Sequence, residues 1–255
     1  MYATSSFLFI RRFVCLDGVI SGNFLRLSAD SITGSKGDDV TEWKDTSGNQ
    51  RDVAVSGDCG TPKLAEASWD ANIPVVKFGH SGSQTCLKTT SAHTVSTSGT
   101  YVAVVAWTGY GGTWEPIATV SHDRYWSVRF FWGSNELNMH VRNEQEPRVR
   151  IDLNNPYIVI GRVDDSNKKS YLWVWDIKGN SWKGKEVRSS AGIPSGGNEI
   201  ITLGRATAKS WEWLQGELAA YTMWDSFLSD SEVDEVVAQY TKNMGQGKQD
   251  TTGTI

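Results

Sequence analysis

From residue 24 onward the chain is a succession of short apolar or alternating runs, each closed by glycine, asparagine or aspartate. Many such runs in a row are the signature of an all-β sandwich or barrel. The candidate strands are Phe24 to Ser28, Val40 to Lys44, Val75 to Phe78, Tyr101 to Trp107, Glu115 to Val120, Ser127 to Trp132, Leu137 to Arg142, Tyr157 to Val163, Tyr171 to Ile177, Glu199 to Gly204 and Gly216 to Trp224. Where residues alternate, faces follow without coordinates. Leu137, Met139 and Val141 point one way, to a core, and Asn138, His140 and Arg142 the other, to water. The Tyr171 strand has large residues on both sides, with Tyr171, Trp173 and Trp175 opposite Leu172 and Val174. It is therefore buried on both faces or displays an aromatic face for use. Gly133-Ser134-Asn135, Asp164-Asp165-Ser166-Asn167 and Lys178-Gly179-Asn180 supply hairpin turns.

Only one segment after the first 23 residues reads as a strong helix. Ser229 and Glu232 form a capping box, and Val233, Val236, Val237 and Tyr240 then recur at helical spacing down to about Asn243. Residues 244–255 lack apolar periodicity and read as a linker-like tail. Residues 1–23 read as an arm. There Phe7-Leu8-Phe9-Ile10 and Phe13-Val14-Cys15-Leu16 are split by Arg11-Arg12, whereas an export signal keeps its apolar stretch unbroken. Phe7, Phe9 and Phe13 offer an apolar edge through which the arm docks on a larger assembly. One sandwich of two sheets over 24–243 is the economical architecture for 255 residues.

Composition narrows the function. The longest apolar run, Tyr101 to Trp107, is far short of the roughly 20 residues of a membrane-spanning helix, so no membrane insertion is expected. Net charge is −4 with no basic stripe, which argues against nucleic acid as a partner. Cys15, Cys59 and Cys86 form no CxxC motif. Cys59 and Cys86 either pair in an oxidising compartment or stay reduced as small buried hydrophobes. No Asn-x-Ser/Thr sequon occurs.

Four segments in order resemble the laminin-G-like branch of the concanavalin A-like lectin and glucanase superfamily. They are Val40-Thr41-Glu42-Trp43-Lys44-Asp45-Thr46-Ser47-Gly48-Asn49-Gln50-Arg51-Asp52, Pro74-Val75-Val76-Lys77-Phe78-Gly79 followed by Cys86-Leu87, Ile201-Thr202-Leu203-Gly204-Arg205, and the stretch from Leu214 to Val233. The resemblance implies a jelly-roll of two antiparallel sheets and an extracellular or surface-exposed setting. One departure stands out: Ala220 occupies a position where the family often has a carboxylate.

Relatives of this kind often hold calcium near an acidic loop. Asp45, Asn49 and Asp52 supply hard oxygens of the type calcium takes, and the same residues suit an Asx turn that bonds its own backbone. Asp164, Asp165 and Asn167 form a second acidic turn, read as a hairpin. The retaining glucanases of the superfamily carry Glu-x-Asp-x-x-Glu on one strand, and that pattern is absent. Glu144 and Glu146 lie in a loop before Pro147, and Glu212 and Glu217 are not spaced as a pair. His80, His93, His122 and His140 show neither metal spacing nor a nucleophile partner. No catalytic residue is therefore expected.

What remains is aromatic. The chain has 12 tryptophans against 8 tyrosines and 8 phenylalanines. Trp107, Tyr110 and Trp114 cluster around Gly109-Tyr110-Gly111-Gly112, Tyr125, Trp126 and Trp132 flank the next strand, and Trp211 and Trp213 precede the last hairpin. Such rings build a core or stack on sugars. The sequence thus points to a non-catalytic domain binding a glycan or another surface, with a structural coat, fibre or complex subunit as the alternative.

Overall fold

The computed structural model describes residues 20–79, 84–120, 126–131, 133–141, 146–189, 198–206 and 212–245. The arm through residue 19, with Phe7, Phe9 and Phe13, and the tail after residue 245 lie outside the described residues. In chain order the strands are β1 (Asn23–Ser28), β2 (Glu42–Trp43), β3 (Val53–Ala54), β4 (Lys63–Glu66), β5 (Pro74–Phe78), β6 (Leu87–Thr89), β7 (His93–Thr94), β8 (Gly99–Trp107) and β9 (Trp114–Val120). There follow β10 (Trp126–Phe131), β11 (Glu136–Val141), β12 (Arg148–Arg150), β13 (Tyr157–Asp164), β14 (Lys169–Asp176), β15 (Ser181–Ser189), β16 (Asn198–Glu199), β17 (Ile201–Leu203), β18 (Gly216–Trp224) and helix α1 (Asp230–Gly245).

These strands form two large antiparallel sheets and one small ladder. The first sheet runs β15-β14-β13-β8-β18-β5-β4, with β1 also paired to β18. The second runs β12-β11-β10-β9-β17-β6-β3-β2, and β7 pairs with β16. The sheets face each other across a core that includes Trp43, Phe78, Tyr101, Trp107, Trp126, Phe130, Tyr157 and Tyr221.

Alternation explains the long apolar run. On β8, Tyr101, Ala103, Val105 and Trp107 enter the inter-sheet core, while Val102 and Val104 face a second cluster built with α1. A strand apolar on both faces is buried on both, here by a sheet on one side and a helix on the other. Val233, Val236, Val237, Tyr240 and Met244 are the helical stripe that covers this outer face. The capping box forms as the sequence predicts: Glu232 donates its N–H to Ser229 Oγ at 3.3 Å, and Ser229 donates its own to Glu232 Oε2 at 2.6 Å. Buried Arg162 of β13 pins the helix start, donating to Leu228 O at 2.9 Å and Asp230 Oδ1 at 2.8 Å. The helix runs to Gly245, two residues beyond the end expected at Asn243, and takes in Met244 from the segment read as tail.

The Tyr171 strand resolves the same way. Leu172 and Val174 enter the inter-sheet core and Trp173 joins the helix-side cluster, where Tyr171 and Trp175 are half-buried. The hairpin turn at Asp164 closes on itself, its carboxylate accepting from Ser166 Oγ, Asn167 N–H and Asn167 Nδ2. Cys59 and Cys86 form a disulfide with Cα atoms 5.5 Å apart, which settles the two alternatives left open by the sequence.

One face assignment is overturned. Asn138 and His140 leave the core as alternation requires, yet both are buried instead of wetted. On the same outer face of β10, Arg129 reaches Glu146 at 2.9 Å, and His140 Nδ1 lies 2.5 Å from that carboxylate. Alternation fixes which way a side chain points, but the packing above that face lies outside its reach.

Candidate functional site

The glycine-rich segment 109–112 joins β8 to β9 at one rim of the sandwich. Close approach to backbone requires one of its glycines, Gly111, while Gly109 faces the movable end of a side chain. A Cβ on Gly109 would sit 2.5 Å from Gln215 Nε2, and one on Gly111 would sit 2.6 Å from the Trp213 carbonyl oxygen and 2.7 Å from its indole. Glu115, fully buried at the start of β9, ties the segment down from beneath. Its Oε1 accepts the Gly111 N–H at 2.6 Å and its Oε2 the Gln215 N–H at 2.9 Å. Burial pushes this carboxyl up to about 7, against the pull of N–H groups from Gln215, Gly111 and Gly112.

So held, the segment turns Tyr110 outward, 53% exposed, with Phe130 behind it. The two rings are nearly parallel, 11° apart at 6.3 Å between centroids, and Phe130 rests in turn on Trp107 at 5.7 Å. Tyr110 is thus an accessible flat face carried on the core. It borders a groove of about 940 Å³ lined also by Thr113, Ser134, Asn135, Arg150 and Asp152. That volume falls in the range of small-molecule sites, roughly 300–1,000 Å³.

The opposite wall comes from the β10–β11 turn and the end of β12. Asn135 adopts a left-handed φ of 54°, which closes the tight turn, and its carbonyl accepts the Ile151 N–H at 2.9 Å. Asp152 receives Lys183 Nζ at 2.9 Å, which holds its carboxyl below the usual range. Among the residues lining the groove, Asp152 is the one carboxylate.

The aromatic residues singled out by the sequence divide sharply. Tyr110 is the exposed one. Trp107 and Trp126 are fully buried in the inter-sheet core, so neither can meet a ligand. Trp213 is half-buried behind Gly111 and buttresses the loop. Trp114 stacks on Phe131 at 4.4 Å beneath the Arg129 guanidinium at 4.1 Å. Tyr125 and Trp211 lie outside the described residues. Among the described residues no tryptophan is exposed, so the indoles there are packing features, and Trp114, placed beside a loop, is not an open stacking face; Trp132 lies outside the described residues. The sequence did not single out Glu115, Ser134, Asn135, Arg150 or Asp152, and the groove depends on them.

The Asp45 turn closes on itself. Asp45 Oδ1 accepts the N–H groups of Arg26 and Ser47, and its Oδ2 accepts Ser47 Oγ and the Arg51 N–H, all within 2.8 to 3.0 Å. Asn49 turns its amide nitrogen to the carbonyls of Asn23 and Phe24, and Asp52 takes the Asp45 N–H and Lys44 Nζ, each at 2.8 Å. Donors already point at the oxygens a cation needs, so Asp45, Asn49 and Asp52 do not fit calcium as they stand. No group of three or more His, Cys, Asp or Glu able to hold a metal occurs among the described residues. Nor is any described helix long and apolar enough to cross a membrane.

The architecture defines the class: a two-sheet antiparallel β-sandwich with one helix laid on its outer face. No family model matches the sequence, and no curated protein matches it. Solved structures share the fold. Domain 4 of AbnA, a GH43 extracellular arabinanase from Geobacillus stearothermophilus solved in complex with arabinotriose, has a TM-score of 0.60 at 14% identity, over 88% of this chain and 98% of that one. Trypanosoma rangeli sialidase in complex with sialic acid has a TM-score of 0.51 at 13% identity, over 90% of this chain and 34% of the sialidase. This chain therefore spans about a third of the sialidase's length. At such identities the likeness is one of fold.

Proposed function

We propose that this chain is a non-catalytic recognition domain that binds a glycan in the groove beside Tyr110. The observation that carries the reading is the accessible Tyr110 face, backed in parallel by Phe130 and bordering a groove with polar walls. Sugar rings present CH faces that lie on such a ring, while short polar groups such as Ser134, Asn135 and Thr113 orient hydroxyls. The saccharides bound to the two structural counterparts support a glycan as the ligand class. Within that class, the four ordered segments favour the laminin-G-like branch. They form β2 with the Asp45 turn, β5, β17, and β18 with the capped helix.

Binding without catalysis suits the groove's chemistry. Most retaining glycosidases use two carboxyl groups about 5 Å apart, and the described residues lining the groove offer Asp152 alone, already paired with Lys183. The Cys59–Cys86 bond suits an oxidising compartment such as a cell exterior. Calcium has no part in this reading, because the residues expected to hold it are spent on the turn.

The test is an array of immobilised oligosaccharides, followed by calorimetric titration of any saccharide bound. Tyr110→Ala should weaken that binding on the order of tenfold or more while leaving the melting temperature nearly unchanged. Undiminished binding in this variant, or no saccharide bound at all, would overturn the proposal.

A further inference from the structure

The groove carries an exposed arginine. Arg150 lines it with an exposed side chain and donates from Nε to the Ser134 carbonyl at 3.3 Å, which orients the guanidinium. The neighbouring carboxylates are committed elsewhere. Glu136, opposite Arg150 in the β11–β12 register, receives Ser134 Oγ at 2.9 Å and lies 3.9 Å from Arg148, while Asp152 is taken by Lys183 at 2.9 Å. Arg150 itself has no ion-pair partner among the described residues. Of the residues lining the groove, Arg150 and Asp152 are charged, and Asp152 is taken by Lys183. That leaves the Arg150 guanidinium as the groove's uncompensated charge, on a chain whose net charge is −4.

We infer that the groove takes an acidic saccharide, its carboxylate on the outer nitrogens of Arg150 and a ring on the face of Tyr110. This rests on the glycan reading above and names the ligand's charge class. A guanidinium presents a planar fork that matches the two oxygens of a carboxylate, a geometry a lysine ammonium does not reproduce. Holding Nε on a backbone carbonyl leaves that fork free and reduces the freedom lost on binding. Tyr110 binds any sugar by its apolar face, and Arg150 adds discrimination by charge.

The experiment uses the whole chain and matched pairs of oligosaccharides, each a uronate or sialate as the free acid and as its methyl ester, with neutral saccharides alongside. The free acids should bind at least tenfold more tightly than their esters at 50 mM salt, and the gap should narrow at 500 mM. Arg150→Gln should bring acid and ester to the same affinity, and Arg150→Lys should leave an intermediate gap. Equal binding of acid and ester in the natural chain, or a gap that persists in Arg150→Gln, overturns the inference. If neutral sugars bind in a Tyr110-dependent manner with no preference for acids, the glycan reading stands and this inference falls. If no saccharide of any charge binds, both fall.

Discussion

The Asp45 turn and the Tyr110 loop both carry residues that mark a ligand site in a sequence, and the fold spends them in opposite ways. In the turn, the Asp45 side chain faces its own backbone, and four donors from Arg26, Ser47 and Arg51 consume both carboxylate oxygens. In the loop, the anchoring carboxylate sits below, on Glu115, and Tyr110 on the outer side stays exposed. A loop fastened from behind can present a side chain outward, whereas a loop fastened by its own ligand-type residues has nothing left to offer. Residue type is alike in the two cases, and the origin of the anchor separates them.

The largest expected effect tests the closed side of this contrast. Asp45→Ala strands the donors it now satisfies, several of them to a charged acceptor, at a cost of about 4 kcal/mol. In a chain of 255 residues that lowers the melting temperature by roughly 12 °C by calorimetry, with groove binding retained. A silent Asp45→Ala would show that the turn is not held as described.

Glu115 tests the anchored side through pH. Its folded value of about 7 lies above its ordinary 4.5, so the folded chain keeps a proton that the unfolded chain has released between those limits. Stability is therefore highest below that window, falls as pH rises through it, and levels off above. The contribution amounts to roughly 3 kcal/mol. Denaturant unfolding from pH 4 to 8 should show this decline in the natural chain and a flatter profile in Glu115→Gln. An unchanged slope in the variant would assign the effect to another group.

The contrast also explains how far the sequence could be read. Strand signals from Phe24 to Trp224 and the Ser229–Glu232 cap were legible because local periodicity and capping chemistry decide them. Strands β3, β4, β6, β7 and β12 were missed because so few residues show no period, and β15 because Lys183, Lys185, Glu186 and Arg188 hide its period. Those charges suit an edge strand, which must discourage pairing with another chain. The tryptophans misled because indole count does not separate core from platform: Trp43, Trp107, Trp126 and Trp224 are all buried. Tyr110 had a better signal, since glycines on both sides bring no side chain to cover it. Glu115 gave little, a single acid opening an apolar strand. Of the far wall, Ser134 and Asn135 were legible as a hairpin turn, but their place was not, because the β9-β10-β11-β12 meander brings them, with Arg150 and Asp152, to Tyr110 across the sheet.

The smallest expected effect is that of calcium, and its size follows from the direction of the hydrogen bonds. A calcium ion takes roughly six to eight oxygen ligands and repels the positive ends of N–H dipoles. At Asp45 three N–H groups and a hydroxyl already point at the carboxylate, and Lys44 Nζ lies 2.8 Å from Asp52, an ammonium where a cation would have to come. Binding there means breaking that set and displacing Lys44, so the turn would have to be rebuilt. Adding calcium or a chelator should therefore move the melting temperature by less than about 1 °C. A shift of several degrees that vanishes in Asp45→Asn would place the turn among ligand-binding loops after all, because the exchange of backbone donors for metal would then be favourable.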